Sequence, residues 1–270
     1  GKLMRMTSDP LTKAARVLAR RLNELGRISD DERGLTRTYL SPAMARANQC
    51  VGDWMGEAGL SVRIDRVGNL IGRQEAPRGG KTLLLGSHLD TVRNAGRFDG
   101  ALGVLLPILA LAELRRRGRE LPFAIEVVGF AEEECVRFST AYIGSKGFTG
   151  RLPARDLNVR DVDGISLRAA LETFNGGAFS LPKPAHSAHE LMGYVEVHIE
   201  QGPVLEDENL AVGVVAAIAS QTRGRLVFRG KAGHAGTTPM ALRRDSLAGA
   251  AEFISLTENS SRGRSPLVAT

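Results

Sequence analysis

Histidine and carboxylate side chains follow three separate apolar stretches of this chain. The stretches at 81–85, 123–130 and 194–197 have the length and composition of buried strands. The polar residues behind them are, in chain order, His88, Asp90 and Asp99, then Glu132, Glu133 and Glu134, then His198. Open α/β sheets place their sites beyond the carboxyl ends of the strands, so we expect these side chains to meet at one edge. A single metal centre explains all three groups, whereas a histidine in a polar turn or a solvated acidic run explains only one of them.

The residue types indicate which metals such a centre would bind. Imidazole and carboxylate ligands together suit zinc, manganese, cobalt or nickel better than calcium or magnesium, which prefer oxygen ligands alone. Two neighbouring ions need a bridging carboxylate, and Asp99 is the candidate because a short glycine-containing loop separates it from His88. Asp90 is suited to accept a hydrogen bond from the His88 nitrogen that does not bind metal. Because adjacent side chains diverge, one of Glu133 and Glu134 is predicted to be a ligand and the other a general base for water.

Short motifs spread over most of the chain carry a close family resemblance. They are VGNL at 67–70, GSHLDTV at 86–92, FDGALGV at 98–104, EEE at 132–134, RF at 137–138, GS at 144–145, HIEQGP at 198–203 and GHAGTTPM at 233–240. The chain resembles the amidohydrolase branch of the di-metal aminoacylase and zinc exopeptidase superfamily, of the hydantoinase/carbamoylase amidase type. That branch contains allantoate amidohydrolases, N-carbamoyl-L-amino acid hydrolases and β-ureidopropionases.

The resemblance implies a binuclear centre that binds two divalent ions, Zn, Mn, Co or Ni. His88, Asp99 and His198 would hold one ion. Asp99 would bridge to the second ion, which Glu134 would also hold, and Glu133 would be the general base. The motifs that supply these residues are all present.

The resemblance also assigns residues that contact substrate. Gln201 and His234 match positions that bind substrate or stabilise the developing oxyanion, and in this family the histidine reaches in from a neighbouring subunit. The chain is therefore expected to form a homodimer through its lid domain and to act on a small molecule.

The implied reaction is hydrolysis of a carbon–nitrogen bond other than a peptide bond. The substrate would be a small carboxylate with a carbamoyl, ureido or related linear group, such as allantoate, an N-carbamoyl amino acid or β-ureidopropionate. His198 favours this reading because the related peptidases have a carboxylate at the matching ligand position. Two alternatives remain at this point: an aminoacylase or dipeptidase of the same superfamily, and an inactive metal-binding scaffold.

Two departures from the family pattern bear on the second ion. The family completes that site with a later histidine and binds the substrate carboxylate with a later asparagine and arginine, but no histidine follows His234 here. The chain ends at Thr270 within a predicted strand, so we expect a C-terminally truncated form of a longer enzyme, with an incomplete second site and little activity. Cys135 stands where the family commonly has glycine, and Cys135 or His189 would have to complete the site if the chain binds two ions tightly.

Composition excludes several other classes of protein. The net charge of +6 would suit nucleic acid, but only 5% of the residues are aromatic and the arginines cluster at a predicted helix end, so no nucleic-acid partner is predicted. Apolar runs are too short for a membrane span, and no signal peptide is recognised, so no membrane partner is predicted. Cys50 and Cys135 do not form a disulfide framework, and a cytoplasmic location is expected.

Alternating strand and helix patterns predict an α/β fold, a mixed sheet with helices on both faces like the catalytic domain of zinc exopeptidases. Residues 1–211 are the predicted catalytic metal-binding domain, and 212–270 the first part of a smaller α+β lid and dimerisation domain. Predicted helices start at the Ser8-Asp9-Pro10 cap and cover 42–58, 100–117 and 240–256. Predicted strands cover 62–65, 70–73, 82–85, 124–128, 195–199, 225–228 and 267–270.

Overall fold

The structure, a computed structural model, describes residues 10–264 and 267–269 and divides the chain into two compact units. The boundary between the units falls between Asp207 and Glu208, and the predicted domain boundary is after residue 211. The helices are α1 (Pro10–Leu25), α2 (Pro42–Glu57), α3 (Ala101–Arg116), α4 (Ile143–Phe148), α5 (Leu167–Phe174), α6 (Val204–Asp207) and α7 (Ser246–Ser261). The strands are β1 (Ser61–Ile64), β2 (Leu70–Gln74), β3 (Thr82–His88), β4 (Ala124–Phe130) and β5 (Leu191–Val195). None of the described helices is long and apolar enough to span a bilayer.

The strands of the first unit form one mixed sheet. Their order is β1-β2-β4-β3-β5, and β3 pairs in parallel with both β4 and β5. The β1–β2 and β2–β4 pairs are antiparallel. Because three neighbouring strands run in the same direction, their carboxyl ends lie along one edge of the sheet, where the metal-type residues follow them.

Both faces of this sheet are covered, as predicted. Alternate side chains of a strand point to opposite faces, so Leu83 and Leu85 of β3 pack on the cluster that α1, α2 and α3 form, whereas Leu84 packs on the other face. There Leu84 contacts a cluster that includes Val128 of β4 and Phe148 of α4. The mixed sheet with helices on both faces is thereby confirmed.

Some predicted elements end elsewhere or are missing. The fifth strand ends at Val195, before His198, because its ladder to β3 runs from Leu191 to Val195. No strand forms at 225–228, since the described part of the second unit offers it no partner strand, and 267–269 are not a strand either. The last helix begins at Ser246 instead of residue 240, because the Asp245 side chain caps it by accepting hydrogen bonds from two main-chain amides. The predicted cap at Ser8 and Asp9, and Thr270, lie outside the described residues.

One glycine controls how closely β3 approaches β4. Gly86 has φ +145°, and a Cβ at this position would collide with the main chain of Val128 in β4. Gly86, two residues before His88, therefore lets β3 lie in register beside β4.

We expect Gly86→Ala to lower the free energy of unfolding by about 2–4 kcal/mol, the combined scale of a disallowed φ and an overpacked contact. Chemical denaturation monitored by circular dichroism measures this change. Gly193→Ala is the matched control, because Gly193 lies in the neighbouring strand β5 with nothing near its Cβ direction. Equal stability of the two variants would contradict the argument.

Candidate metal centre

The predicted metal residues lie together at the carboxyl edge of the sheet. His88 is the last residue of β3 and lies beside Phe130, the last residue of β4. Asp99 comes just before α3, and the two glutamates and the second histidine follow β4 and β5. Among the described residues, two groups have ligand atoms that all lie within 4.8 Å of one another: His88, Asp99 and His198, and His88, Glu133 and Glu134.

Main-chain carbonyls fix the orientation of both histidines of the first group. The Nδ1 atom of His88 lies 2.9 Å from the carbonyl oxygen of Asp90, and Nδ1 of His198 lies 2.9 Å from that of Ile199. A carbonyl oxygen only accepts hydrogen bonds, so Nδ1 carries a proton in each ring. Each histidine therefore keeps Nε2 for a metal ion, and these atoms lie 3.7 and 3.2 Å from Asp99 Oδ1.

Asp99 shows why a cation fits between these rings. Its Oδ1 atom is buried and has no hydrogen-bond partner among the described residues, whereas Oδ2 accepts a hydrogen bond of 3.0 Å from Gln201 Nε2. A buried carboxylate oxygen without a donor is costly unless a cation neutralises it. Two imidazole nitrogens and this oxygen form a set of three ligands, the number that open zinc sites use.

His88 is shared by the two groups but can serve only one ion. Its Nδ1 is occupied by the Asp90 carbonyl, so a single nitrogen remains. If that nitrogen binds an ion together with Asp99 and His198, a second ion near Glu133 and Glu134 would have to rely on carboxylate oxygens.

Asp90 connects the histidine to the glutamate loop. Its carboxylate Oδ2 accepts a hydrogen bond of 3.1 Å from the main-chain amide of Glu134, and Oδ1 lies 3.8 Å from His88 Nδ1. We predicted that Asp90 fixes the tautomer of His88 through its side chain. In the structure its carbonyl oxygen makes the hydrogen bond, and the buried carboxylate adds negative charge beside the same nitrogen.

The charges at this edge alter the protonation of its members. Burial alone would lower the pKa of His88, but interaction with Asp99 and Asp90 outweighs it and raises the pKa to about 9. Interaction with His88 lowers the pKa of Asp99. Burial raises the pKa of Glu133 and Glu134, even though His88 opposes the shift. A carboxylate with a raised pKa is better suited to accept and return a proton near neutral pH.

His234 lies in the second compact unit and has the opposite tautomer. Its Nδ1 atom accepts hydrogen bonds of 3.1 and 3.2 Å from the main-chain amides of Gly236 and Thr237. The proton of the neutral ring is therefore on Nε2, which makes this histidine a hydrogen-bond donor where the other two present a lone pair. Arg243 supports the loop by donating to the carbonyl oxygens of Ala235 and Thr238.

Sequence reasoning missed the residues that hold the glutamate loop. Asn69 is fully buried; its side-chain oxygen accepts from Ala131 N, and its amide group donates to Gly144 O and to Asp65. Glu132, which looked like one of three equivalent acids, is buried and accepts two main-chain hydrogen bonds from the chain that follows. Burial raises its pKa to about 7. The VGNL motif includes Asn69, but the motif does not show that Asn69 bonds to Ala131 and Gly144, which are distant in sequence.

Two residues that were considered as additional ligands do not join these groups. Cys135 and His189 are absent from both sets among the residues that the structure describes. Cys135 has φ +56°, in the left-handed region that glycine adopts most easily. This backbone conformation explains why the resemblance leads us to expect a glycine at this position.

The structure defines an α/β protein with a group of residues that could hold a metal ion, and comparison with known proteins identifies its family. The sequence profile of peptidase family M20/M25/M40 matches residues 84–269. This chain belongs to that family.

Three similar proteins match most of this chain. The chain is 45% identical over 244 residues to an allantoate deiminase of Arabidopsis thaliana, covering 88% of this chain and 46% of that protein. It is 42% identical over 255 residues to an N-carbamoyl-L-amino acid amidohydrolase of Geobacillus stearothermophilus, covering 94% and 62%. A crystal structure of a hydantoinase/carbamoylase family amidase from Burkholderia ambifaria superposes with a TM-score of 0.73 at 34% identity, covering 94% and 61%. The chain thus spans about half to three fifths of the length of these relatives.

We expect metal binding near neutral pH to release a proton from His88. Below its pKa of about 9 the metal-free ring is protonated, and a metal ion must displace the Nε2 proton. Apparent affinity for Zn²⁺ should therefore rise with pH, by up to about tenfold per unit, and level off above about pH 9. Calorimetry in buffers of different protonation enthalpy counts the protons.

His186→Gln is the control for this experiment. His186 is bound to Glu126 at 2.8 Å and belongs to neither metal group, so its replacement should leave the proton count unchanged. An affinity that does not vary between about pH 6 and pH 8 would contradict the expectation.

Proposed function

We propose that this chain carries the metal centre of a hydrolase that cleaves a linear carbon–nitrogen bond other than a peptide bond. The substrate is a small carboxylate with a carbamoyl or ureido group, of the class of allantoate, N-carbamoyl-L-amino acids and β-ureidopropionate. The observation that carries the proposal is the convergence of His88 and His198 on the unpartnered oxygen of Asp99. The names of the similar proteins, an allantoate deiminase and an N-carbamoyl-L-amino acid amidohydrolase, support the substrate class.

We propose that the enzyme holds two divalent ions, the second at a site that the residues of this chain supply only in part. His88, Asp99 and His198 hold one ion, and Asp99 and Glu134 contribute to the other. The bound metal supplies Lewis-acid polarisation of the substrate carbonyl and lowers the pKa of a water molecule. Zinc, manganese, cobalt and nickel all accept this mixture of nitrogen and oxygen ligands.

The proposed catalytic steps use Glu133 and His234. Glu133 takes a proton from the attacking water and delivers it to the leaving nitrogen, which is why its raised pKa is useful. His234 donates its Nε2 proton in a hydrogen bond to the oxygen on which negative charge develops. Gln201 orients Asp99 through its amide and presents its side chain beside the substrate.

The substrate class is tested by assaying the protein loaded with Zn²⁺, Mn²⁺, Co²⁺ or Ni²⁺. The three ureido compounds should be hydrolysed at least about a hundredfold more efficiently than an N-acetyl amino acid or a dipeptide, because a site that hydrogen-bonds the ureido group leaves its polar groups unpaired when a compound lacks that group. Faster hydrolysis of the acetyl compound or the dipeptide would assign an aminoacylase or dipeptidase instead. Bound metal without hydrolysis of any compound, in a form of the protein that also supplies the later histidine, asparagine and arginine of the family, would assign an inactive scaffold.

Glu133→Gln should retain metal and lower turnover by at least about a hundredfold, because it removes the proton carrier but not a ligand. Metal content by elemental analysis and initial rates measure the two effects. Glu134→Gln is the paired variant and should lose metal instead. If Glu133→Gln loses metal and Glu134→Gln keeps it, the roles of the two residues are reversed.

We also propose a homodimer through residues 212–270 in which His234 serves the partner's metal centre. The exposed apolar side chains of α7, Leu247, Ile254 and Leu256, support this assembly. His234→Ala should keep its metal and lose about 10²–10³ in turnover, the scale of one oxyanion donor. Mixing it with Glu133→Gln should restore activity, since one site of a heterodimer has both intact residues. Absence of restored activity after verified subunit exchange would contradict the shared site.

A further inference from the structure

The segment that carries His198 lies outside the sheet. The last residue pair of the β3–β5 ladder joins Leu85 and Val195, so the main chain from 196 to 198 has no strand partner. His198 nevertheless directs Nε2 at Asp99 from 3.2 Å, and a ligand placed by a loop requires other contacts to hold it.

A carboxylate two residues before His198 supplies such contacts. Glu196 Oε1 accepts a hydrogen bond from the hydroxyl of Ser87, and Oε2 accepts one of 2.8 Å from the hydroxyl of Tyr194. We call Ser87, Tyr194 and Glu196 the Glu196 clamp. Ser87 is buried and directly precedes His88, so the clamp joins the segments that carry the two histidine ligands.

Further contacts hold the clamp and the segment on two sides. The Tyr194 hydroxyl lies 3.2 Å from the carbonyl oxygen of Gly86, in the strand that ends at His88. The carbonyl oxygen of Val197 packs against Gly103 in the first turn of α3, where a Cβ would collide with it. The main chain on either side of Glu196 is therefore held against both the strand that ends at His88 and the first turn of α3.

We propose that Glu196 is a positioning residue that holds His198 in place for metal binding. It acts through the Ser87 and Tyr194 hydroxyls and contacts neither metal nor substrate. The inference rests on the proposed function only in that the ligands His88, Asp99 and His198 hold a divalent ion. Loss of the Glu196 side chain leaves the β3–β5 ladder intact, because β5 ends at Val195, and frees His198 from its place beside Asp99.

The chemistry of the clamp predicts which substitution preserves it. Two hydroxyl groups donate to one carboxylate, so alanine removes both hydrogen bonds. Glutamine keeps both, since its oxygen accepts from Tyr194 while its amide donates to the Ser87 oxygen. A positioning role therefore predicts rescue by glutamine, whereas a role for negative charge predicts none.

The test is binding of Co²⁺ to the full 270-residue chain, with visible absorption reporting the ligands around the ion. Glu196→Ala and Ser87→Ala should each weaken Co²⁺ binding at least about tenfold, the scale of lost support around a metal ligand, and change the absorption spectrum. Glu196→Gln should bind as the unaltered protein does. The double variant Ser87→Ala/Glu196→Ala should be no weaker than either single one, because both belong to one clamp.

Controls separate positioning from folding and from catalysis. Glu206→Ala removes an exposed glutamate of α6 and should change nothing. Far-ultraviolet circular dichroism and melting of the metal-free variants identify unfolding, and Ser87→Ala, which removes a single oxygen, tests the clamp if Glu196→Ala does not fold.

Unaltered Co²⁺ affinity and spectrum in Ser87→Ala and in folded Glu196→Ala would overturn the proposal, as would Glu196→Gln binding as weakly as Glu196→Ala. Failure to hydrolyse ureido substrates, in a form of the protein that also supplies the later histidine, asparagine and arginine of the family, would overturn the proposed function and leave the clamp unaffected.

Discussion

The carboxylate of Asp99 is the group around which the candidate metal centre is arranged. One of its oxygens is buried without a donor and is faced by the Nε2 atoms of His88 and His198. Burying such an oxygen is unfavourable in free energy unless a cation neutralises it, and a bound metal ion would remove this unfavourable contribution. The pKa of His88 is raised for the same reason: without a metal ion, the negative charge of Asp99 and Asp90 favours the protonated ring.

This arrangement depends on close approach of main chains, which small residues allow. Gly100, with φ +64°, directly follows Asp99, and a Cβ there would collide with the ring of His88. Gly86 lets β3 lie beside β4, and Gly103 lets α3 approach the segment that carries His198. The glycines of the GSHLDTV and FDGALGV motifs thus set the distances between side chains that do the binding.

Main-chain hydrogen bonds then decide what each histidine can do. The carbonyl oxygens of Asp90 and Ile199 accept hydrogen bonds from Nδ1 of His88 and His198, which keeps a proton on Nδ1 and leaves Nε2 for a metal ion. Two main-chain amides give His234 the reverse tautomer and make it a donor. One residue type thereby serves two chemical roles, because the local loop, rather than the side chain, selects the nitrogen that carries the proton.

Apolar runs, motif spacing and residue types were enough to predict the mixed sheet and the convergence of His88, Asp99 and His198, because parallel strands must bring their carboxyl ends to one edge. They did not reveal that β5 ends before His198, that no strand forms at 225–228, or that a carbonyl oxygen fixes His88. Strand limits depend on a partner's register, and tautomers depend on which main-chain atoms lie nearby. The contacts of Asn69 with Ala131 and Gly144, and of Glu196 with Ser87, join residues far apart in sequence. Only tertiary structure decided these, because hydrogen bonds depend on distances that local sequence patterns do not contain.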